Sequence, residues 1–281
     1  MRLRSLLFVP ADRPERIEKA VATGADALIL DLEDSVVPER KGVGRVAVAQ
    51  ALRAAGAVPK FFVRVNPLGS AFIKADLTAL AGLQPDALVL PKAEGAASVR
   101  ELVALCAEIG LNVPVLPIAT ETPAAVFQLG SYREVAASLV GVTWGAEDLP
   151  AAIGAVSSRE EDGRYTPPYE LARSLTLFGA HAANVAAIET VFPDFRDLDA
   201  LGAYAARAAR DGFSGMMAIH PAQVPVINAA FTPGVEAIAK AQAIVAAFAA
   251  NPGAGALQLE GRMIDAPHLK QAQKLLARAG L

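Results

Sequence analysis

Two acidic residues follow short apolar runs, and their spacing could bring both side chains to one site. Leu116–Ala119 leads to Glu121, and Leu139–Gly145 leads to Asp148. Such runs are typical of buried parallel strands. Because 27 residues separate the two acids, about one strand-helix-strand unit, adjacent strands could bring both carboxylates to one rim. Paired carboxylates repel one another unless a cation lies between them, and hard divalent ions prefer oxygen ligands. The sequence therefore favours a Mg²⁺ site at Glu121 and Asp148.

Both acids also have a plain structural interpretation as helix caps. Asp148 precedes Leu149-Pro150, and Glu121 precedes Thr122-Pro123. Polar residues favour the cap position, and proline favours the first turn that follows it. On these residues alone, the metal site and the two caps have about equal support.

Other chemically capable side chains follow further apolar runs. In chain order they are Arg13, Asp31, Glu33, Asp34, Arg64, Asn66, Lys92, Glu94, Glu189 and His220. The eight runs, which alternate with segments of helical period, are Ser5–Pro10, Ala27–Leu32, Lys60–Asn66, Ala87–Pro91, Pro114–Ala119, Leu139–Gly145, Val185–Val191 and Gly215–His220. This alternation predicts an α/β chain folded as a (β/α)₈ TIM barrel, with its catalytic groups at one mouth. A doubly wound open sheet is the alternative, and it would spread these groups along an edge.

Basic residues near the first helix suggest an anion site. Asp12 is predicted to cap a helix that begins near Pro14, with Arg13 and Lys19 close to its N-terminus. Helix N-termini with nearby cations bind phosphate well, although such charges are as often plain surface residues.

Arg64 lies in the apolar strand Phe62–Asn66 and therefore needs a partner. That partner could be Asp31 or Glu33 on the neighbouring strand. It could also be a substrate carboxylate, which a guanidinium binds through two parallel hydrogen bonds.

Composition narrows the class of protein. The 281 residues are 53% hydrophobic and 20% charged, which indicates a folded chain with a large core. A net charge of −3 provides no general attraction for nucleic acid or anionic membranes, so neither is expected as a partner. The chain has no dinucleotide or ATP motif, and its three histidines lack the spacing of a zinc site. The single cysteine, Cys106, excludes a disulfide within the chain.

The N-terminal apolar run, Leu6–Val9, is too short for a signal peptide, and no later segment is expected to reach membrane-spanning length. The protein is therefore predicted to be cytoplasmic. The polar, proline-bearing stretch Ser157–Pro168 is predicted to be a surface loop, either a lid or a plain loop.

The chain continues well past the eighth run. We predict a catalytic barrel domain over residues 1–232 and a helical C-terminal extension over residues 233–281, with a proline- and glycine-bearing hinge at Asn251–Gly255. A tail beyond a complete barrel must pack on its own barrel or on a neighbour's. We expect a homo-oligomer in which this extension packs on a neighbouring subunit.

Several motifs, spread in order along nearly the whole chain, resemble those of a known family. They are Ser5-Leu-Leu-Phe-Val-Pro-Ala-Asp-Arg-Pro-Glu-Arg16, Ala27-Leu-Ile-Leu-Asp-Leu-Glu-Asp34, Val63-Arg-Val-Asn-Pro67, Leu90-Pro-Lys92, Glu121-Thr122, Gly145-Ala-Glu-Asp-Leu149 and Ile219-His-Pro-Ala-Gln223. Together they resemble the citrate lyase β-subunit family, which belongs with malyl-CoA and citramalyl-CoA lyases to the HpcH/HpaI aldolase superfamily. The resemblance implies a Mg²⁺-dependent barrel enzyme that cleaves or forms a carbon–carbon bond in a 3-hydroxyacyl thioester.

The resemblance also implies roles for individual residues. Glu121 and Asp148 match the family's metal ligands, and Arg64 matches the arginine that holds the keto-acid carboxylate. Arg13 and Lys19 match basic residues that contact the phosphates of CoA.

Asp265 and Glu33 are expected to be catalytic on the same ground. Asp265 matches a C-terminal aspartate that enters a neighbour's active site, which implies a trimer, and Glu33 matches a carboxylate beside the metal and the arginine. Asp265 could instead merely cap a helix that begins near Pro267. Two departures from the family pattern are Met216, where relatives usually have lysine, and Glu189, where they often have aspartate.

The predicted reaction converts citryl-CoA, or citryl carried on an acyl-carrier protein, to oxaloacetate and an acetyl thioester. Asp265 would protonate the enolate fragment. Citramalyl-CoA lyase, malyl-CoA lyase and a malate-synthase-like activity are the alternatives. Two further readings are a non-autonomous acyl-carrier-binding subunit of a citrate lyase complex, and an aldolase on free pyruvate.

Overall fold

The computed structural model describes residues 1–56 and 59–281. The chain forms two compact units, residues 3–228 and residues 229–281.

The first unit is built on eight parallel strands. They are β1 (Ser5–Pro10), β2 (Ala27–Asp31), β3 (Lys60–Arg64), β4 (Ala87–Leu90), β5 (Val115–Pro117), β6 (Gly141–Thr143), β7 (Ala186–Glu189) and β8 (Gly215–Ala218). The hydrogen-bonded order runs β5-β4-β3-β2-β1-β8-β7-β6. Two parallel bridges, Val115 to Leu139 and Ile118 to Thr143, join β5 to the β6 region. The sheet thus comes round on itself, and the predicted (β/α)₈ barrel is confirmed.

The strands are short apolar runs because both of their faces are covered. Every residue of β2 and β4 is buried. One face of the strands fills the barrel interior with side chains such as Leu6, Ile29, Phe62, Val89 and Leu116, all fully buried. Successive residues of a strand face opposite sides, so the other face packs against the helices.

Helices α1 to α9 follow the strands and cover the outside of the sheet. They are α1 (Pro14–Val21), α2 (Lys41–Arg53), α3 (Ile73–Leu80), α4 (Ala96–Glu108), α5 (Pro123–Phe127), α6 (Leu149–Ile153), α7 (Pro167–Ala182), α8 (Leu198–Asp211) and α9 (Gln223–Ala230), with 3₁₀ segments at Pro38–Arg40 and Leu129–Ser138. Their apolar stripes point inward: α8, for example, buries Leu201, Ala205 and Ala208. Proline begins several of them, as expected for a first-turn residue.

The second unit is not wholly helical. It contains α10 (Val235–Ala250), an antiparallel hairpin of β9 (Ala256–Leu259) and β10 (Arg262–Asp265), and α11 (Ala266–Ala279). Its core is small, with Ala241, Ile244, Ile264 and Ala272 buried. The sequence predicted a helical extension and did not indicate this hairpin.

One stretch of the described residues, Gln223–Ala250, is long and apolar enough to cross a membrane by length and composition alone. The expectation that no segment reaches such a length is therefore wrong on that criterion. In the structure this stretch forms two helices, α9 and α10, and the residues Phe231–Gly234 between them are not helical. Proline at position 233 lacks the N–H that a continuous helix would need.

Candidate active site

A cavity of about 320 Å³ opens where the barrel strands end. It is lined by Phe8, Pro10, Asp31, Asp34, Ser35, Arg64, Ile118, Glu121, Gly145, Ala146, Glu147, Asp148, Thr190, Val191, Met217 and Ile219. Charged groups from β2, β3 and the segments after β5 and β6 thus meet apolar residues from β1, from β8 and from the segment after β7. This is the arrangement expected of a barrel enzyme's site.

Glu121 is one of two buried acids that line the cavity, with 4% of the residue exposed; the other is Asp31. Its Oε2 accepts a hydrogen bond from the backbone N–H of Lys92 at 2.5 Å. Burial raises the pKa of Glu121 to about 8. Gly145 lies directly against this side chain, since a Cβ there would stand 2.7 Å from Cγ of Glu121. Thr122, and not Glu121, caps α5, because its side chain accepts a hydrogen bond from the N–H of Ala125.

Asp148 precedes α6, but its side chain makes no capping hydrogen bond. Its Oδ1 lies 3.5 Å from the ammonium of Lys92 instead. The cap interpretation therefore fails for both acids, and their carboxylates line the same cavity.

Lys92 is a site residue that sequence reasoning left without a role. Its ammonium lies 2.7 Å from Oε1 of Glu33 as well as near Asp148. Burial acts to lower the pKa of Lys92, but the hydrogen bond and charge of Glu33 outweigh it and raise that pKa above its usual value. The residue also has a φ of 52°, which non-glycine residues rarely adopt. This backbone geometry presents both its N–H and its ammonium to site carboxylates.

Arg64 binds both of the carboxylates proposed from the sequence. Its Nε and Nη2 donate to Asp31, each at 2.7 Å, and its Nη1 lies 2.9 Å from Oε2 of Glu33. Burial opposes ionisation of Asp31, yet the charge of Arg64 keeps its pKa below the usual value. One guanidinium edge is therefore occupied within the protein. A guanidinium carries five N–H donors, so the terminal nitrogens retain further donors at the cavity.

Glu33 itself is 3% exposed and lies behind the cavity wall, between Arg64 and Lys92. Its carboxylate contacts both cations and does not line the cavity. Its predicted catalytic role stays a prediction.

Arg13 and Lys19 are both exposed on or beside α1. The predicted cap at Asp12 is wrong: Arg13 occupies the cap position of α1, and no side chain caps that helix. Asp12 binds Arg40 instead, with Nε of Arg40 at 2.5 Å from its Oδ2. The carboxylate is drawn away from the helix because a cation offers a stronger, charge-assisted hydrogen bond.

Asp265 belongs to the second unit, where it ends β10 and occupies the cap position of α11. It forms a capping box with His268, whose Nδ1 lies 2.5 Å from Oδ1 of Asp265. The side chain is 35% exposed. The capping interpretation thus describes its local contacts, and the predicted role in a neighbouring subunit stays a prediction.

The donor set suits a hard cation that keeps open positions. No three histidine, cysteine, aspartate or glutamate side chains cluster as a metal cage in the described part of the chain. Magnesium needs no such cage, since it commonly takes one or two carboxylates and completes its shell with water and substrate. Glu121 is buried, aimed at the cavity and hard to ionise without a cation beside it. The residues present therefore fit Mg²⁺.

Fold and site together define a (β/α)₈ barrel enzyme with two oxygen-donor carboxylates at its mouth. The chain belongs to the HpcH/HpaI aldolase/citrate lyase family, whose model matches residues 4–221.

Relatives agree with this placement. A citrate lyase subunit beta-like protein of Mycobacterium tuberculosis is 40% identical over 98% of this chain and 94% of its own length. The mitochondrial citramalyl-CoA lyase of Rattus norvegicus is 33% identical over 98% of this chain and 86% of its own. A crystal structure of CitE from M. tuberculosis with magnesium, acetoacetate and coenzyme A matches with a TM-score of 0.84 at 38% identity, covering 99% of this chain and 100% of that one.

The comparisons confirm the predicted family. Relatives named as lyases bear out the predicted enzyme class, and related structures that contain magnesium bear out the predicted cofactor. The two departures from the family pattern both lie outside the cavity. Met216 is fully buried and alternates along β8 with Met217, which lines the cavity. Glu189 is also fully buried, and its partners are described below.

Proposed function

We propose that this protein is a magnesium-dependent lyase that cleaves, or forms, a carbon–carbon bond in a 3-hydroxyacyl-CoA thioester. The observation that carries the proposal is the meeting of Glu121, Asp148 and Arg64 at one cavity. Related structures that contain magnesium with oxaloacetate, or with acetoacetate and coenzyme A, support it. The products would be oxaloacetate or a related keto acid and an acyl thioester, with citryl, citramalyl and malyl thioesters as the candidate substrates.

Glu121 and Asp148 would hold the ion through their carboxylate oxygens. When bound there, Mg²⁺ would act as a Lewis acid that favours negative charge on the substrate oxygen which becomes the ketone. The free donors of Arg64 would bind the carboxylate of the keto-acid portion. Lys92 would offset the repulsion between Asp148 and Glu33, because its ammonium lies close to both carboxylates.

Cleavage leaves a thioester enolate whose carbon needs a proton. We assign that step to Asp265, acting across a subunit interface of a homo-oligomer, with a trimer as the expected state. The catalytic domain would comprise residues 1–232 and the extension residues 233–281. Arg13 and Lys19 would bind the phosphates of CoA, because they are exposed cations at the first helix of the barrel. The expected location is the cytoplasm.

A substrate panel tests the proposal. The purified chain should release keto acid and acyl-CoA from citryl-CoA, citramalyl-CoA or malyl-CoA, only when Mg²⁺ is present. A relative in Cereibacter sphaeroides that is 32% identical is named a (3S)-malyl-CoA thioesterase. Product analysis must therefore separate keto acid with acyl-CoA from free CoA with the intact hydroxy acid. Activity only on acyl-carrier thioesters, and only with added subunits, would favour the non-autonomous subunit.

A further inference from the structure

A buried carboxylate lies behind the wall of the cavity. Glu189, the last residue of β7, is fully buried. Its Oε1 accepts a hydrogen bond from the indole Nε1–H of Trp144 at 2.5 Å and one from the backbone N–H of Thr190 at 3.0 Å. Its Oε2 accepts a hydrogen bond from Nε of Arg173 on α7 at 2.7 Å. One side chain thus connects the ends of β6 and β7 to a helix.

The partners of Glu189 lead directly to the proposed metal ligands. Trp144 immediately precedes Gly145, which lies against Glu121 so closely that no Cβ fits between them. Asp148 follows three residues after Gly145, and Gly145, Asp148 and Thr190 all line the cavity. Any movement of Trp144 would therefore be felt at both Glu121 and Asp148.

Packing alone does not explain a charged pair at this place. Arg173 is 3% exposed and Glu189 is fully buried, so both ions lose most of their hydration. Apolar side chains of similar shape often stabilise a core as well as a buried ion pair does. What a carboxylate adds is direction, since it fixes where the N–H groups of Trp144 and Thr190 must point.

We propose that Glu189 is a positioning residue for the metal site: through Trp144 it holds the segment from Gly145 to Asp148 in the place that lets Asp148 and Glu121 share one Mg²⁺. The proposal rests on the proposed function, because it needs the metal at those two carboxylates. Partners that orient the ligands of a metal typically change metal affinity or activity by about 10- to 100-fold.

Calorimetric titration of Mg²⁺ into full-length variants tests the role. Trp144→Phe removes the indole N–H but keeps the ion pair of Glu189 with Arg173, so it is expected to fold. Glu189→Gln removes the charge of the acceptor and so weakens the same hydrogen bond from the side of Glu189. Each should bind Mg²⁺ about 10-fold or more weakly than the parent. Tyr169→Phe is the matched control. It keeps a buried ring whose centroid lies 6.3 Å from that of Tyr165, and it loses a hydroxyl that has no hydrogen-bond partner among the described residues, so its affinity should equal the parent's.

The double variant separates positioning from general damage. If both residues act through one hydrogen bond, the double variant should bind Mg²⁺ no more weakly than the weaker single variant. Additive losses would overturn the proposal. So would a folded Trp144→Phe protein with parental Mg²⁺ affinity, which decides the matter even if Glu189→Gln fails to fold.

Tryptophan fluorescence tests the same role without a substitution at Trp144 or Glu189. Trp144 is the one tryptophan of the chain, so tryptophan emission reports this position alone. Saturating Mg²⁺ should change that emission in the parent and leave it unchanged in Glu121→Gln. Calorimetric Mg²⁺ binding by the parent without any change in emission would overturn the role of Glu189. Equal Mg²⁺ binding by the parent and Glu121→Gln would instead overturn the proposed metal site.

Discussion

The barrel mouth and the C-terminal unit hold their acidic side chains in different ways. At the mouth, Glu33 and Glu121 are almost wholly buried and contact Lys92, which lies 59 and 29 residues away in the chain. In the C-terminal unit, Asp265 is one-third exposed and contacts His268, three residues further on. The first arrangement exists only after strands β2 to β5 have paired, whereas the second needs only one turn of helix.

This difference predicts how well each region tolerates the substitution of a side chain. Buried carboxylates that share cations act as a set, because removal of one partner leaves the others with uncompensated charge. An exposed cap contributes about 1 kcal/mol to stability and can be exchanged for another capping residue. Substitutions at the mouth should therefore change ligand affinity sharply, and substitutions in the C-terminal unit should change it little.

The largest effect is expected at the two proposed metal ligands. Glu121→Gln or Asp148→Asn should lower Mg²⁺-dependent activity by about 1000-fold or more, since a Lewis-acid metal supplies several kcal/mol to the reaction. Activity and Mg²⁺ calorimetry would measure it, with thermal unfolding as the control for the fold. Parental Mg²⁺ affinity in either variant would remove that residue from the site.

Asp265→Asn should sharpen the comparison. Asparagine caps helices as well as aspartate does, so the fold and Mg²⁺ affinity should stay unchanged. Activity should nevertheless fall by about 100-fold, because the general acid is lost. Steady-state kinetics beside calorimetry would show this split. Full activity in Asp265→Asn would leave the residue as a cap alone.

Subunit mixing tests whether Asp265 acts across an interface. Inactive Asp265→Asn chains and inactive Glu121→Gln chains should regain part of the activity when their subunits exchange. Some sites then receive an intact metal centre from one chain and an intact acid from another. Proven exchange without any recovery would exclude the shared site.

Arg64→Lys should have an intermediate effect. Lysine cannot reproduce the planar fork, so oxaloacetate should bind more weakly by about 1.5–3 kcal/mol, the range for hydrogen bonds to charged groups. Asp31→Asn is the matched control for the internal pair, because it keeps the shape of the partner and removes its charge. Oxaloacetate affinity that is unchanged by Arg64→Lys would assign the arginine to its pair with Asp31.

The smallest effect is expected at the turn between β9 and β10. Gly261 has a φ of 76° and free space around it, so an alanine there would be strained by its backbone alone, at about 1–2 kcal/mol. Gly261→Ala should lower the thermal stability of the C-terminal unit without changing Mg²⁺ affinity. Gly255→Ala, which has equal space and no positive φ, should change neither. A loss of Mg²⁺ affinity in Gly261→Ala alone would contradict the division between the two regions.

Sequence patterns predicted the barrel well because its strands are nearly continuous apolar runs. β1 spans Ser5–Pro10 as the pattern indicates, and β2 and β3 begin at Ala27 and Lys60, where their apolar runs begin. The hairpin of the C-terminal unit was missed, although Glu260 and Gly261 both have positive φ, a feature of tight hairpin turns. Its strands bury only Ile264, so they lack the continuous apolar run that indicates the barrel strands.

The sequence indicated which side chains lie at the cavity better than it indicated their contacts. The ends of strands identified Glu121, Asp148 and Arg64 as cavity residues. Nothing in the sequence indicated that Lys92 would adopt a left-handed backbone and bind two of the acids, because that geometry depends on strands far apart in the chain. For the same reason, the sequence did not indicate that Asp12 would bind Arg40 instead of capping α1.

The missing side chain at position 145 also sets limits for anyone who redesigns this enzyme for bulkier substrates. Every residue larger than glycine at that position would displace Glu121, so a library that varies it samples mostly proteins in which this carboxylate has moved. Room must come from the opposite, apolar side of the cavity, where Phe8, Met217 and Ile219 present replaceable methyl and ring groups. Substrate range in this scaffold can therefore evolve along one wall while the other stays constant.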